Sequence, residues 1–264
     1  MTDIATLNQV LQHKVIGEGS PVMILHGLFG TMDNWRTFAG MLKDHYQVIL
    51  VDLRNHGRSF WSDEYDYNIL AEDLHNLLNH LEISQIDIIG HSMGGKAALT
   101  FAVNYPDLLN KLAVIDIGIK QYAPGHLNIF NAVLGMDLAN LSSRSEADEI
   151  LSEHIGDMAI RQFILKSLGR SSDGGFRWKT NFRSLFTNYD RILSAIDIDL
   201  IETSSLFVRG LKSEYITNQD IDLIRDHFDS VRIADIDAGH WIHSEKPKEL
   251  FDELHHFLTD NGQG

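Results

Sequence analysis

From Pro21 onward, short apolar runs alternate with amphipathic stretches, and that rhythm fits little other than βα units laid on a parallel sheet. The predicted strands are Val22–Leu25, Gln47–Asp52, Gln85–Ile89, Lys111–Asp116, Leu206–Arg209 and Val231–Asp235. Most are unbroken apolar runs, as expected of strands covered by helices on both faces. Between them the spacing predicts helices over Asn34–Lys43, Ile69–Leu81, Lys96–Asn104, Ile221–Phe228 and Lys248–Leu258. An extra antiparallel strand is expected near Asn8–Ile16, ahead of the set.

The alternation stops between about Tyr122 and Ser205, where the patterning is helical and no convincing strand is visible. Structureless loops of that length are uncommon in compact domains, so residues 122–205 are read as a helical cap inserted into a core made of 1–121 and 206–264. The run Ser171-Ser172-Asp173-Gly174-Gly175 marks a turn within it, and the polar end Asp260–Gly264 is expected to fray. With 264 residues, 44% of them apolar and 22% charged, the chain has the material for a packed α/β fold.

Composition removes several chemistries at once. The chain has no cysteine, so disulfides, thiolate metal sites and a catalytic thiol are excluded. Its formal charge of −15 repels nucleic-acid phosphates and anionic lipid. Met1–Leu11 lacks a basic stretch followed by an apolar core, and no run has the length of a membrane span, so a soluble cytoplasmic protein is expected. No dinucleotide fingerprint, P-loop or H-E-x-x-H word is present, and no metal is implied.

Three words carry chemistry. Gly90-His91-Ser92-Met93-Gly94-Gly95 falls between a predicted strand and a predicted helix and matches G-x-S-x-G, the elbow that lifts a serine hydroxyl above a sheet. Glycines at 90 and 94 remove side chains where the turn brings backbone together, and the following helix start favours a developing oxyanion beside Ser92. His26-Gly27-Leu28-Phe29-Gly30 ends the first apolar strand and opens on the same sheet edge, so the backbone amides of Leu28 and Met93 are assigned as the oxyanion donors. His26 is read as bracing that loop. Asp237-Ala238-Gly239-His240-Trp241 follows the last strand, and the chain order of serine, acid and histidine singles out His240 among 14 histidines.

With Asp52-Leu53-Arg54-Asn55-His56-Gly57-Arg58-Ser59 and Gly239-His240-Trp241-Ile242-His243-Ser244-Glu245-Lys246-Pro247 added, the chain resembles the α/β-hydrolase superfamily along essentially its whole length, and within it the small bacterial YbfF-type esterases. The resemblance implies a hydrolase of carboxylic esters or thioesters, with a helical cap over the site and no cofactor. Its partner would be a small-molecule substrate. A serine at position 92 argues against the dehalogenases and epoxide hydrolases of this fold, which use aspartate there. Carbon–carbon bond hydrolysis, lyase chemistry and a non-catalytic binding role are the alternatives on the same scaffold.

The acid departs from the superfamily pattern. After Leu206–Arg209 the chain reads Gly210-Leu211-Lys212-Ser213-Glu214, with serine at the expected carboxylate position. Asp116, at the end of the preceding strand, would also stand on the catalytic edge, and YbfF-type esterases resemble this arrangement. Asp116 is therefore assigned to orient His240, with Ser213 as an additional hydrogen-bonding partner and Glu214 as the rival acid. Residues 161–191 hold seven basic side chains, Arg161, Lys166, Arg170, Arg177, Lys179, Arg183 and Arg191, against Asp173 and Asp190. That segment could receive an anionic leaving group such as the phosphates of an acyl-CoA, or be an ordinary solvated face. Phe176, Trp178 and Phe182, interleaved with it, could line an acyl pocket or pack the cap.

Overall fold

The computed structural model describes residues 9–260. Its sheet contains β1 (His13–Ile16), β2 (Pro21–Leu25), β3 (Gln47–Val51), β4 (Ile86–His91), β5 (Leu109–Ile115), β8 (Ser205–Gly210) and β9 (Val231–Ile236), in the spatial order β1-β3-β2-β4-β5-β8-β9. All neighbours pair in parallel except β1, which runs antiparallel along β3 with His13 opposite Val51. β1 is thus shorter than the strand expected near Asn8–Ile16, and Asn8 lies outside the described residues, as do residues 261–264 of the expected frayed tail.

Alternate residues of each strand feed two cores. Met23, Leu25, Ile49 and Val51 pack under α2 (Tyr67–His80) and α3 (Met93–Asn104). Val22, Ile24, Val48 and Leu50 face the opposite layer, with α1 (Arg36–Leu42) and α11 (Pro247–Thr259). Burial on both faces explains why these strands read as continuous apolar runs.

Helix α2 starts at Tyr67 because Asp66 caps it, its carboxylate accepting from the Ile69 N–H at 2.9 Å. Helix α3 starts at Met93, three residues before the predicted start; Gly94 and Gly95 hide it from a propensity reading. Two further helices complete the core, α9 (Asn218–Asp226) and the one-turn α10 (Ile242–Glu245).

Between β5 and β8 run α4 (Leu127–Gly135), α5 (Arg144–Ser152), α6 (Met158–Leu165), α7 (Phe182–Thr187) and α8 (Tyr189–Leu193). The expectation of helices alone is corrected here. The predicted turn at 171–175 closes an antiparallel hairpin of β6 (Leu168–Arg170) and β7 (Phe176–Trp178). Phe176 and Trp178 point inward and Arg177 outward, a period of two too short to register in the sequence.

From β2 the chain moves to β3 on one side, then to β4 and β5 on the other. The direction of winding therefore reverses between β2 and β4, opening a crevice beyond their carboxyl ends. His26–Gly30 and Ser92 lie at those two strand ends, and a side chain added at Gly27 would lie 3.1 Å from Ser92 Cβ.

Candidate active site

Ser92 stands alone between β4 and α3 with φ 53° and ψ −122°. Positive φ strains a residue carrying a side chain, so the surroundings must impose it. The Ser92 N–H donates to the Ile115 carbonyl at 3.0 Å, and its own carbonyl accepts from Gly95 at 2.8 Å and Lys96 at 3.1 Å. A Cβ at Gly94 would sit 2.6 Å from the carbonyl oxygens of Leu25 and His26, and one at Gly90 would overlap the Gly94 carbonyl. The glycine spacing is thus a steric condition of the turn. Met93, the first residue of α3, carries one of the amides that a helix start leaves free of intrahelical bonds.

Two histidines hold the facing loop. His26 Nδ1–H donates to the Gly27 carbonyl at 2.9 Å while Nε2 accepts from the Leu53 N–H at 3.1 Å. His56 donates from Nδ1 to the Arg54 carbonyl at 2.9 Å and accepts at Nε2 from the Phe29 N–H at 3.2 Å. Phe29, at φ 64°, spends its amide on His56, and Leu28 beside it lines both cavities at Ser92. Burial lowers His26 to about 4 and His56 to about 3, so both are neutral at neutral pH.

A consequence for stability follows from those two shifts. Unfolded, each ring returns to about 6.5, so between pH 6.5 and about 4 the unfolded chain binds more protons than the folded one. Stability should therefore fall as pH drops through that window, with an uptake of about two protons on unfolding from this pair alone. Thermal midpoints measured from pH 7.5 to 4.5 check it; a flat profile below pH 6.5 would rule the shifts out.

The residues expected at the far side of the crevice are brought together. His240 Nδ1 lies 2.7 Å from Asp116 Oδ2; the aspartate is fully buried, while the imidazole keeps 23% of its side-chain surface exposed toward the cavity. Asp116 has φ 50°, which aspartate tolerates better than most residues. Its Oδ1 accepts from the Gly210 N–H at 2.9 Å, and Oδ2 also accepts a short bond from the Ser213 hydroxyl. The rival Glu214 instead lines a smaller cavity beside Ser92. His240 is clamped further by Tyr215, stacked on its ring at 4.0 Å, and by His91, whose Nε2–H donates to the His240 carbonyl at 2.9 Å. His243 stacks flat on Trp35 at 4.1 Å, the role of a packing residue.

Two cavities meet at Ser92. The larger, about 430 Å³, runs along Gly27–Gly30, Phe163, His240 and Trp241. The smaller, about 260 Å³, is bounded by Tyr67, Met93, Tyr122, Ile192 and Glu214, with Lys96 in its wall. Lys96 was read in the sequence only as a helix start. It is buried, and burial lowers its ammonium to about 7. Its Nζ donates to the carbonyls of Lys120 at 2.8 Å, Leu193 at 3.4 Å and Ser194, tying the chain after β5 and after α8 to α3.

The basic run 161–191 is less available than its charge suggests. Arg161 pairs with Asp148 at 3.0 Å, and Arg170 lies 3.9 Å over the Phe176 ring. Lys166 and Lys179 line a separate cleft with Arg58, Asp33 and Asp52. Phe176, Trp178 and Phe182 are buried in the apolar core and border neither cavity at Ser92, which removes them as acyl-pocket residues.

The alpha/beta hydrolase fold family matches residues 20–247 of the sequence. The chain belongs to the α/β-hydrolase family. The Escherichia coli esterase YbfF is 33% identical over 243 residues, covering 91% of this chain and 94% of that protein. The Danio rerio sn-1-specific diacylglycerol lipase ABHD11 is 33% identical over 253 residues, covering 92% of this chain and 79% of that protein. A solved marine microorganism esterase superposes with a TM-score of 0.93 at 38% identity, covering 95% of this chain and all of that one. This α/β-hydrolase is therefore similar to proteins named as esterases and a lipase. Among its described residues no helix is long and apolar enough to cross a membrane.

Proposed function

We propose that this protein is a serine hydrolase that cleaves carboxylic esters or acyl thioesters through an acyl-enzyme, with Ser92 as nucleophile, His240 as general base and acid, and Asp116 as the carboxylate that orients it. The observation that carries the reading is the 2.7 Å contact of His240 Nδ1 with Asp116, beside the strained elbow serine that borders the same cavity. A buried carboxylate on Nδ1–H leaves Nε2 as the proton acceptor and stabilises the imidazolium that forms. Ser92 Oγ attacks the acyl carbon as its proton passes to His240 Nε2, and the Leu28 and Met93 amides receive the negative charge on the carbonyl oxygen. Collapse releases the alcohol or thiol with that proton. Water, deprotonated by His240, then hydrolyses the acyl-enzyme.

Residues 122–205 act in this reading as a cap, supported by Tyr122, His126 and Phe163, which wall the two cavities from that segment. In the cleft that borders Thr31, Asp33 and Asp52 pair with Arg58 at 3.1 Å and 3.9 Å, which leaves Lys166 and Lys179 as the cations that could receive an anionic leaving group such as coenzyme A. A hydrolysis screen of p-nitrophenyl esters against acyl-CoA thioesters of varied chain length tests this directly. Turnover of at least one of the two classes is expected. Activity on neither would sink the reading, and activity on esters alone would remove the thioester half of it.

A further inference from the structure

The two cavities share Leu28, Ser92, Gly125, His126 and Tyr215 as lining residues. An ester attacked by Ser92 must place its acyl chain in one cavity and its leaving group in the other, so the scissile bond lies among these residues. Ser92 and the Leu28 amide have roles in the serine reading, Tyr215 packs on His240, and Gly125 has no side chain. His126, which the sequence reading passed over, is left as a polar side chain without a task.

Its protonation is fixed by a contact within the inserted segment. The Tyr189 hydroxyl oxygen accepts from the backbone N–H groups of Gly125 at 3.2 Å and His126 at 3.0 Å. Those two bonds use its lone pairs, so its own proton goes to His126 Nδ1, 2.7 Å away. Burial raises the Tyr189 phenol, which keeps that proton, and lowers the imidazole to about 4. The ring is therefore neutral with Nδ1 accepting, which puts its hydrogen on Nε2. Among the described residues Nε2 makes no hydrogen bond, and it is not one of the sealed, unpartnered side-chain atoms, which are Thr180 Oγ1, Arg232 Nε and His243 Nδ1. It is an open donor at the cavity wall. The ring meets Phe29 edge-on with centroids 5.8 Å apart, beside the residue that carries the loop's oxyanion donor.

Resting on the serine-hydrolase reading, we infer that the His126 Nε2–H is a third donor to the carbonyl oxygen of the tetrahedral intermediate, supplied by the inserted segment to complement the amides of Leu28 and Met93. It gives a hydrogen bond and transfers no proton. The oxyanion site is then complete only while His126 is seated against Phe29, which couples catalysis to the placement of that segment.

The test is a series of butyrate esters whose leaving alcohols run from p-nitrophenol to ethanol, assayed with wild type, His126→Phe and His126→Gln. Removing an oxyanion donor should lower kcat of His126→Phe by about 10²-fold at little cost in KM, and by the same factor across the series. Binding of phenylboronic acid, whose adduct with Ser92 mimics the tetrahedral intermediate, should weaken by a similar factor. In His126→Gln the amide nitrogen reaches the Nε2 position, so most of the loss should be recovered. Unchanged kcat in both variants overturns the inference, as does a loss confined to KM. A loss that grows as the alcohol becomes more basic also overturns it, because the ring would then serve the leaving oxygen. If wild type itself neither turns over these esters nor binds the boronic acid, it is the serine-hydrolase reading that fails.

Discussion

Ser92→Ala should lose turnover on the order of 10⁶-fold while the protein stays folded. The fold should survive because the elbow is held by backbone: the Ile115 carbonyl takes the residue-92 amide, and the residue-92 carbonyl takes Gly95 and Lys96. None of these bonds uses the hydroxyl. Alanine meets the same positive φ as serine, so the strain is unchanged. The residual rate over water would come from the oxyanion donors and from binding. Steady-state kinetics with p-nitrophenyl butyrate, alongside circular dichroism, read both halves; activity retained within tenfold would mean that another residue is the nucleophile.

Asp116→Asn should cost about 10⁴-fold in kcat, again without unfolding. Asparagine tolerates the positive φ at this position, and its side-chain oxygen can still accept from the Gly210 N–H. The amide nitrogen then replaces Oδ2 opposite His240 Nδ1 and donates to it. That reverses the tautomer, placing the ring proton on Nε2 where the serine proton should go. Glu214→Gln should change little, since that side chain borders the smaller cavity and not the His240–Asp116 pair. Ser213→Ala should be mild, because its hydroxyl adds one bond to Asp116 and no charge. Near wild-type turnover by Asp116→Asn, with loss in Glu214→Gln, would transfer the acid's role to Glu214.

How much of this was legible differs by the range of the interaction. The parallel sheet could be read because doubly covered strands such as β3 and β5 are apolar along their buried stretches, residues 48–51 and 112–115, and the elbow because its glycines and serine are adjacent in sequence. The β-hairpin at 168–178 was missed because three-residue strands carry almost no period. Asp116 was legible only as a strand-end carboxylate competing with Glu214; its distance to His240 depends on two residues 124 apart in the chain. The staples made by His26 and His56, the burial of Lys96 and the Tyr189 contact that sets the His126 tautomer all join distant segments. Lys96 shows the limit most clearly. A lysine in the first turns of a helix reads as a solvent residue, and it is buried only because the carbonyls of Lys120, Leu193 and Ser194 close over it.

The most direct test of the central claim is intact-protein mass spectrometry after brief exposure to a fluorophosphonate, followed by peptide mapping. A serine activated by the His240–Asp116 pair should gain a single phosphonyl adduct on Ser92. Ser92→Ala should gain none, and Asp116→Asn should label far more slowly than wild type. A folded wild-type protein that takes up no adduct, or takes it at another residue, would contradict the account.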